Sequence, residues 1–328
     1  MDFRLHVEMP SSSLNIQRSD SIISLGSCFS QRIGERLEAL KFNIDIDPFG
    51  VQYDPVSISN ALLAIAEKKC VDALEEFNGN YFSFAHSTLF SSHDEHTALD
   101  HINKRIIGAS NMLEVDPVVM LTLGTAWVFK HKERGLIVAN CHKLPAKLFE
   151  RELLTVAQVV DALRSAMLAV QKIAPNVRFV FTVSPVRHVR DGLINDQLGK
   201  SVLFVALHEL RSHFPEAEYF PAFEILQHEL RDHRFYAEDM AHPSEQATEY
   251  IWQQFERSMV DPAEQALSKE IQALRAAMKH KPFNAGSKEY QGFLKTQIDK
   301  LEKIASLHPG LDLSEMKVHF DMASAKTC

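Results

Sequence analysis

The six residues Val118-Val119-Met120-Leu121-Thr122-Leu123 are almost continuously apolar, so a strand built from them has no face suited to water. It must be covered above and below, which is the condition of a central strand in a parallel α/β sheet. Ile22 to Gly26 and Val177 to Val183 meet the same condition. Amphipathic stretches separate them. Ile33, Leu37 and Leu40 recur at helical spacing after the first run, and Ile58, Leu62, Ile65 and Leu74 mark a helix beyond the Asp47-Pro48-Phe49-Gly50-Val51 loop. Val156, Val159, Val160, Leu163, Met167 and Val170 form one stripe over 155–173, and another amphipathic helix spans about 202–210. Phe42 to Ile46 and Tyr219-Phe220 read as further strands, and Leu136 to Ala139 as a short extra one. This alternation predicts an open α/β sheet whose ligands gather at the carboxyl ends of its strands, and the polar motifs of the chain fall at those ends.

Within 328 residues, 45% hydrophobic and 24% charged, there is room for one large domain with an appendage. Residues 1–20 are polar and turn-rich, with Pro10 and Ser11 to Ser13, and read as an N-terminal arm; 21–258 carry the α/β pattern. The remainder, 259–328, is charged and helical over Glu264 to Lys279 and Lys288 to Ser306, broken at Pro282 and Pro309, and is expected to pack on the domain. A net charge of -8 argues against a nucleic-acid scaffold. Cys28, Cys70, Cys141 and Cys328 show no C-x-x-C spacing, which suits a reducing compartment. Asp2, Arg4 and Glu8 interrupt any leader-like apolar run and no later segment is long enough to span a membrane, so the expectation is a cytoplasmic protein.

Chemistry points first to Gly26-Ser27-Cys28-Phe29-Ser30, where the first strand turns into a helix. Unpaired N–H groups and the positive end of the helix dipole converge on Ser27 and Cys28, favouring a thiolate and a developing oxyanion. The plainer reading is a turn glycine, a capping serine and a small buried cysteine. Asp239-Met240-Ala241-His242 is the second constellation: three-residue spacing lets the carboxylate orient an imidazole that faces a nucleophile elsewhere. A lone D-x-x-H is a weak signal, and by itself it reads first as a satisfied loop pair or a helix cap ahead of the helix from Glu245.

Taken in order, a nucleophile after the first strand, Gly50 after the second, Leu123-Gly124-Thr125 at a third strand end and D-x-x-H before the last helix resemble the blocks of SGNH (GDSL-type) hydrolases. Gly26-Ser27-Cys28-Phe29-Ser30 differs only at its last residue from the signature of the GSCFA family. Asn140-Cys141-His142-Lys143, Ser184-Pro185-Val186-Arg187-His188 and Asp239-Met240-Ala241-His242-Pro243-Ser244 look like further blocks of that family, over residues 20 to 258 and much of the tail. The resemblance implies a three-layer, flavodoxin-like parallel sheet flanked by helices with a helical C-terminal extension. It also implies an acyl-processing enzyme, an acyltransferase or esterase acting on an acylated carbohydrate or similar polar metabolite. No cofactor is required, and acyl-CoA is a candidate donor.

Aligning the glycines with the SGNH pattern makes Cys28 the better candidate for the nucleophile, with Ser27 the alternative, His242 the base and then the acid, and Asp239 the orienter. An oxyanion hole would draw on Cys28, Gly50 and Gly124. The usual Gly-x-Asn-Asp is replaced by Gly124-Thr125-Ala126-Trp127, so its amide is missing and Asn140 is the substitute to consider. His142, Arg187, His188 and Arg190 are candidate substrate ligands, with Lys143 beside them, since guanidinium groups suit carboxylates, phosphates and sugar hydroxyls. Their plainer reading is a solvated loop paired with Asp191. Two other function classes remain in view: an inactive module that binds without turnover, and a metal-dependent hydrolase using His93, His96 and His101, whose spacing fits no strong metal template and reads equally as an exposed loop.

Overall fold

In the computed structural model, the described residues are 5–9, 12 and 14–325; Asp2, Arg4, Pro10, Ser11, Ser13 and Cys328 lie outside them. The chain runs β1 (Ile22–Gly26), α1 (Cys28–Ala39), β2 (Ile44–Ile46), α2 (Pro55–Ala66), β3 (Glu75–Phe77), β4 (Asn80–Phe82), α3 (Glu95–Met112) and β5 (Val118–Leu123). It continues with β6 (Trp127–His131), β7 (Leu136–Val138), β8 (Phe149–Leu153), α4 (Val156–Ile173), β9 (Arg178–Val183), α5 (Leu193–His213) and β10 (Glu218–Tyr219). A short α6 (Ala222–Glu224) passes into a π-helical turn, Ile225–Leu230, before α7 (Glu245–Met259), α8 (Pro262–Met278), α9 (Lys288–Leu307) and α10 (Ser314–Ala325).

The central sheet has five strands in the order β10-β9-β5-β1-β2, and every pairing is parallel. Counting only these strands, the order is that of flavodoxin-like sheets, which reverses direction between β1 and β5 and leaves a crevice at their carboxyl ends. Gly26 pairs with Thr122, so the β1 turn and the end of β5 lie level.

Successive side chains of these strands point to opposite faces. Ile23, Leu25, Val119, Leu121, Leu123, Phe179, Phe181 and Val183 join one apolar cluster with buried residues of α2, α3, α4 and α5. Ile22, Val118 and Val180 are buried on the other side. Right-handed crossovers put α1 on that second face, because the chain steps outward from β1 to β2 and returns for β5. α7 runs beside α1 in the same direction: Arg32 pairs with Glu245, and Arg36 with Glu249 one turn later on both helices.

Local chemistry fixes the helix starts. Asp54 caps α2, accepting from Ser57 N at 2.9 Å, with Pro55 as the first helical residue. Thr155 and Gln158 form a capping box on α4, and Ser244 caps α7. Leu74, assigned by spacing to the second helix, lies beyond it: the chain leaves α2 at Glu67 and passes through a left-handed Lys68, φ 50°. Beyond Gly124 the chain opens an antiparallel three-stranded sheet, β7-β6-β8, whose β7 is the short extra strand expected at Leu136 to Ala139; with the β3–β4 hairpin it stands over Phe82, Phe84, Val138 and Phe149.

Two compact units divide the chain. One comprises Met1–Glu38 and Phe42–Val260, the other Ala39–Lys41 and Asp261–Cys328. In the second, α8, α9 and α10 bury Ile271, Leu274, Leu294, Leu301, Ile304, Met316 and Phe320, and Glu315 lies 3.8 Å from Lys41 and 3.7 Å from Arg275. No helix among the described residues is long and apolar enough to cross a membrane.

Candidate active site

Gly26 is demanded by its surroundings: φ is +151°, and a Cβ there would lie 2.3 Å from the Thr122 carbonyl oxygen. The turn it permits delivers two side chains to different fates. Ser27 is buried; its N–H donates to Thr122 O at 3.1 Å and its hydroxyl accepts from Phe29 N at 3.3 Å, so it is the cap of α1. Cys28 opens the helix with its sulfur half-buried, and its N–H, as a first-turn donor, has no intrahelical acceptor. The Sγ atom lies 3.4 Å from the hydroxyl of Tyr53.

Tyr53 sits between β2 and α2, and its carbonyl accepts from Gly124 N at 2.7 Å and Thr125 N at 3.1 Å. The ring therefore hangs from a backbone clamped to the end of β5. Partial burial, and then the contact with Cys28, push the phenol well above its usual range, so it keeps its proton. Edge-on to the ring, 5.3 Å between centroids, stands His188. Burial and the nearby Lys200 ammonium hold His188 down to about 3, and its buried Nε2 has no partner. Gly124 leaves room for it: a Cβ there would be 2.9 Å from that nitrogen.

The loop carrying Asp239 and His242 is bound to the end of β9. Arg187 N donates to Ala241 O at 3.0 Å, and its guanidinium donates to Met240 O at 3.1 Å while stacking 3.7 Å over the Tyr236 ring. Arg187 therefore braces this loop. Asp239 Oδ1 accepts from Ala241 N at 2.9 Å and His242 N at 3.0 Å, and Oδ2 lies 2.6 Å from His242 Nδ1. Those backbone donors, followed by the imidazole, hold the carboxyl well below its usual range. In the neutral ring, the carboxylate favours the tautomer with the proton on Nδ1, which makes Nε2 the acceptor.

Helix register sets the starts of α1 and α7 at one level. Cys28 is one turn ahead of Arg32 on α1, and His242 lies three residues ahead of Glu245 on α7. The paired, parallel helices thus start side by side, with Cys28 the first residue of α1 and His242 in the loop two residues before Ser244, the cap of α7. His242 is also close enough to His188 to influence its titration.

Other expected donors are spent. Gly50 N–H donates to Asp47 O at 2.6 Å and Gly124 N–H to Tyr53 O, so neither is free for an oxyanion. Asn140 lies at the end of β7, its Oδ1 accepting from His142 N at 2.8 Å. His142 is buried; Nε2 lies 2.9 Å from Ser83 O and the ring stacks on Phe82 at 4.3 Å, and burial lowers its pKa. Asn140, His142, Lys143, His188 and Arg190 nevertheless share a cavity of about 540 Å³ that Tyr53 also lines. Trp127 and Phe129 supply aromatic surface there, with Arg190 5.0 Å from the Phe129 centroid. Asp191 is not the partner of Arg190: Arg151 holds it through Nε at 3.0 Å and Nη2 at 2.5 Å.

His93, His96 and His101 do not converge. His93 Nδ1 lies 2.7 Å from Gly79 O, Asp94 caps α3, and His101 stacks on Phe90 at 4.6 Å. No group of three or more His, Cys, Asp or Glu among the described residues is arranged to hold a metal ion.

Lys200 escaped sequence reasoning. Fully buried within α5, it donates to Gly124 O at 2.7 Å, Ser184 O at 2.7 Å and Val186 O at 3.0 Å, tying the ends of β5 and β9 together. Burial lowers its pKa to about 8. A lysine at helical spacing ahead of the buried Leu203, Leu207 and Leu210 was the available signal. Tyr53 was legible only as a residue following the Gly50 loop, just before the Asp54-Pro55 helix start.

No curated protein matches the chain. Residues 21–255 match the GSCFA family model, and residues 271–322 match the model described as GSCFA domain protein, C-terminal domain. The first match begins at the strand before Cys28 and ends within α7, so it spans the site just described; the chain belongs to the GSCFA family.

Proposed function

We propose that the protein is an SGNH-like acyl-processing enzyme, a transferase or esterase, in which Cys28 is the nucleophile, His242 the base and then the acid, and Asp239 the orienter. The observation that supports this reading is the side-by-side start of α1 and α7, with Cys28 opening one helix and the His242–Asp239 contact of 2.6 Å in the loop that leads into the other. Ser27 is committed to capping, which leaves the thiol as the attacking group. His242 removes the thiol proton as sulfur attacks the acyl carbon, then returns it to the departing oxygen, leaving a thioester on Cys28. An alcohol or water reverses these steps. The 540 Å³ cavity is not lined by Cys28, Asp239 or His242 and neighbours the thiol through Tyr53; in this reading it takes the polar part of an acylated substrate such as a carbohydrate, with aromatic faces for a ring and Arg190, Lys143 and Asn140 for its polar groups.

The test is covalent. Iodoacetamide should modify Cys28 selectively, more slowly in His242→Ala, and p-nitrophenyl acetate or an acyl-CoA should leave an acyl adduct at Cys28 by mass spectrometry. Ser27→Ala should retain the adduct and Cys28→Ala should lose it. An adduct on Ser27 would move the nucleophile. The second reading, a module that binds without turnover, is favoured by the committed N–H groups of Gly50 and Gly124; ligand binding with no adduct from any acyl donor would establish it.

A further inference from the structure

Attack on an acyl carbonyl places a full negative charge on its oxygen, and a working site aims preorganised donors at that oxygen. Around the Cys28 sulfur the supply is short. The Cys28 N–H is available, but the N–H groups of Gly50, Gly124 and Thr125 are all bonded to backbone carbonyls. Ala126 and Trp127 stand where a side-chain amide would be useful, and the Trp127 indole N–H donates to Asn195 O at 2.9 Å.

Tyr53 has the required properties. Its hydroxyl is 3.4 Å from Sγ, its backbone is clamped at 2.7 and 3.1 Å to the end of β5, and His188 braces the ring edge-on. The phenol also retains its proton throughout the neutral range. We infer that the Tyr53 hydroxyl, together with the Cys28 N–H, forms the oxyanion hole and takes the place of the missing amide. This deepens the proposed thioester chemistry and rests on it.

In the step concerned, the sulfur lone pair forms the S–C bond and the carbonyl π electrons move onto oxygen. Tyr53 turns its O–H from sulfur to that oxygen, donating a hydrogen bond and keeping its proton. Collapse restores C=O and expels the leaving oxygen, which takes the proton held by His242. Tyr53 is thus a catalytic residue that is regenerated without net proton transfer.

Two reagents that attack the same sulfur separate this role from others. Iodoacetamide alkylates by displacing iodide and builds no oxyanion, whereas p-nitrophenyl acetate acylates through one. In Tyr53→Phe, which keeps the ring and the backbone clamp, the ratio of acylation rate to alkylation rate should fall on the order of 100- to 1,000-fold, as for loss of one oxyanion donor. Continued alkylation of Cys28 is the internal check that the site is folded. An unchanged ratio, with both rates falling together or neither falling, overturns the assignment and leaves Tyr53 as a neighbour of the thiol. If the wild-type protein is alkylated at Cys28 but never acylated, the thioester reading itself fails, and this inference with it.

Discussion

Arg187 and Met240 are joined by a hydrogen bond of 3.1 Å from guanidinium to carbonyl, across two segments far apart in sequence. The same guanidinium stacks on Tyr236, so it fixes the loop from which His242 projects. Arg190, three residues further on, faces the cavity instead. The two arginines therefore predict different kinetics. Arg187→Gln should lower kcat for acyl turnover on the order of 10- to 100-fold by displacing the base. Arg190→Gln should raise KM for a polar substrate with kcat little changed. Steady-state kinetics with one acyl ester measure both.

Lys200 uses all three of its protons on main-chain oxygens of the strand ends. Lys200→Met fills the same space and leaves those carbonyls unpaired, at roughly 1–3 kcal/mol each. A loss on the order of 3 kcal/mol or more is expected in urea denaturation. Acylation of Cys28 should slow in the fraction that remains folded, because Gly124 O is one of the three.

Asp47 accepts from Gly26 N at 3.0 Å, while its other oxygen is buried without a partner. Burial, reinforced by Asp45 and Glu35 and opposed by the Gly26 N–H and Arg105, pushes it up from 3.8 to about 8. The folded state therefore holds a proton that the unfolded chain releases, and stability is lost as pH rises from about 4 to about 8. Asp47→Asn keeps an acceptor for Gly26 and has nothing to ionise. Its stability relative to the wild type should rise by about 1.4 kcal/mol per pH unit across that interval and level off above it. Denaturant titrations at matched pH values give the difference curve, in which all other groups cancel. A flat difference would mean that Asp47 is ionised in the folded protein.

At Gly124, a methyl group would sit 2.9 Å from His188 Nε2 and 3.0 Å from Tyr53 O. Gly124→Ala should therefore shift Tyr53 and slow acylation on the order of 100-fold. Gly108→Ala is the control. It lies within α3 with nothing inside 4 Å of the added carbon, and should stabilise the protein by roughly 0.5–1 kcal/mol without touching turnover.

The central sheet was readable because its strands have no polar face: 118–123 and 178–183 match the structure almost to the residue. α10 went unread, since its apolar residues are sparse, with Met316 and Phe320 carrying its burial. Of the small sheet only the Leu136 to Ala139 strand was legible; its partners Trp127–His131 and Phe149–Leu153 mix polar and apolar residues and carry no comparable run. In the site, Cys28, Asp239 and His242 were visible because each lies in a compact motif. Tyr53 and Lys200 were not: one is placed by hydrogen bonds to its backbone, the other acts through carbonyls, and neither leaves a trace in residue spacing. Gly50 and Gly124 looked like oxyanion donors by position, but a glycine N–H serves only if its turn leaves it unbonded.

The ion pairs between α1 and α7 join residues 213 positions apart. During synthesis the thiol emerges early, whereas the imidazole follows only after the last strand of the sheet has left the ribosome. If Cys28 is the nucleophile and His242 the base, as proposed, a growing chain exposes the one long before it possesses the other, and His242-dependent reactivity at Cys28 would report that α1 and α7 have come together.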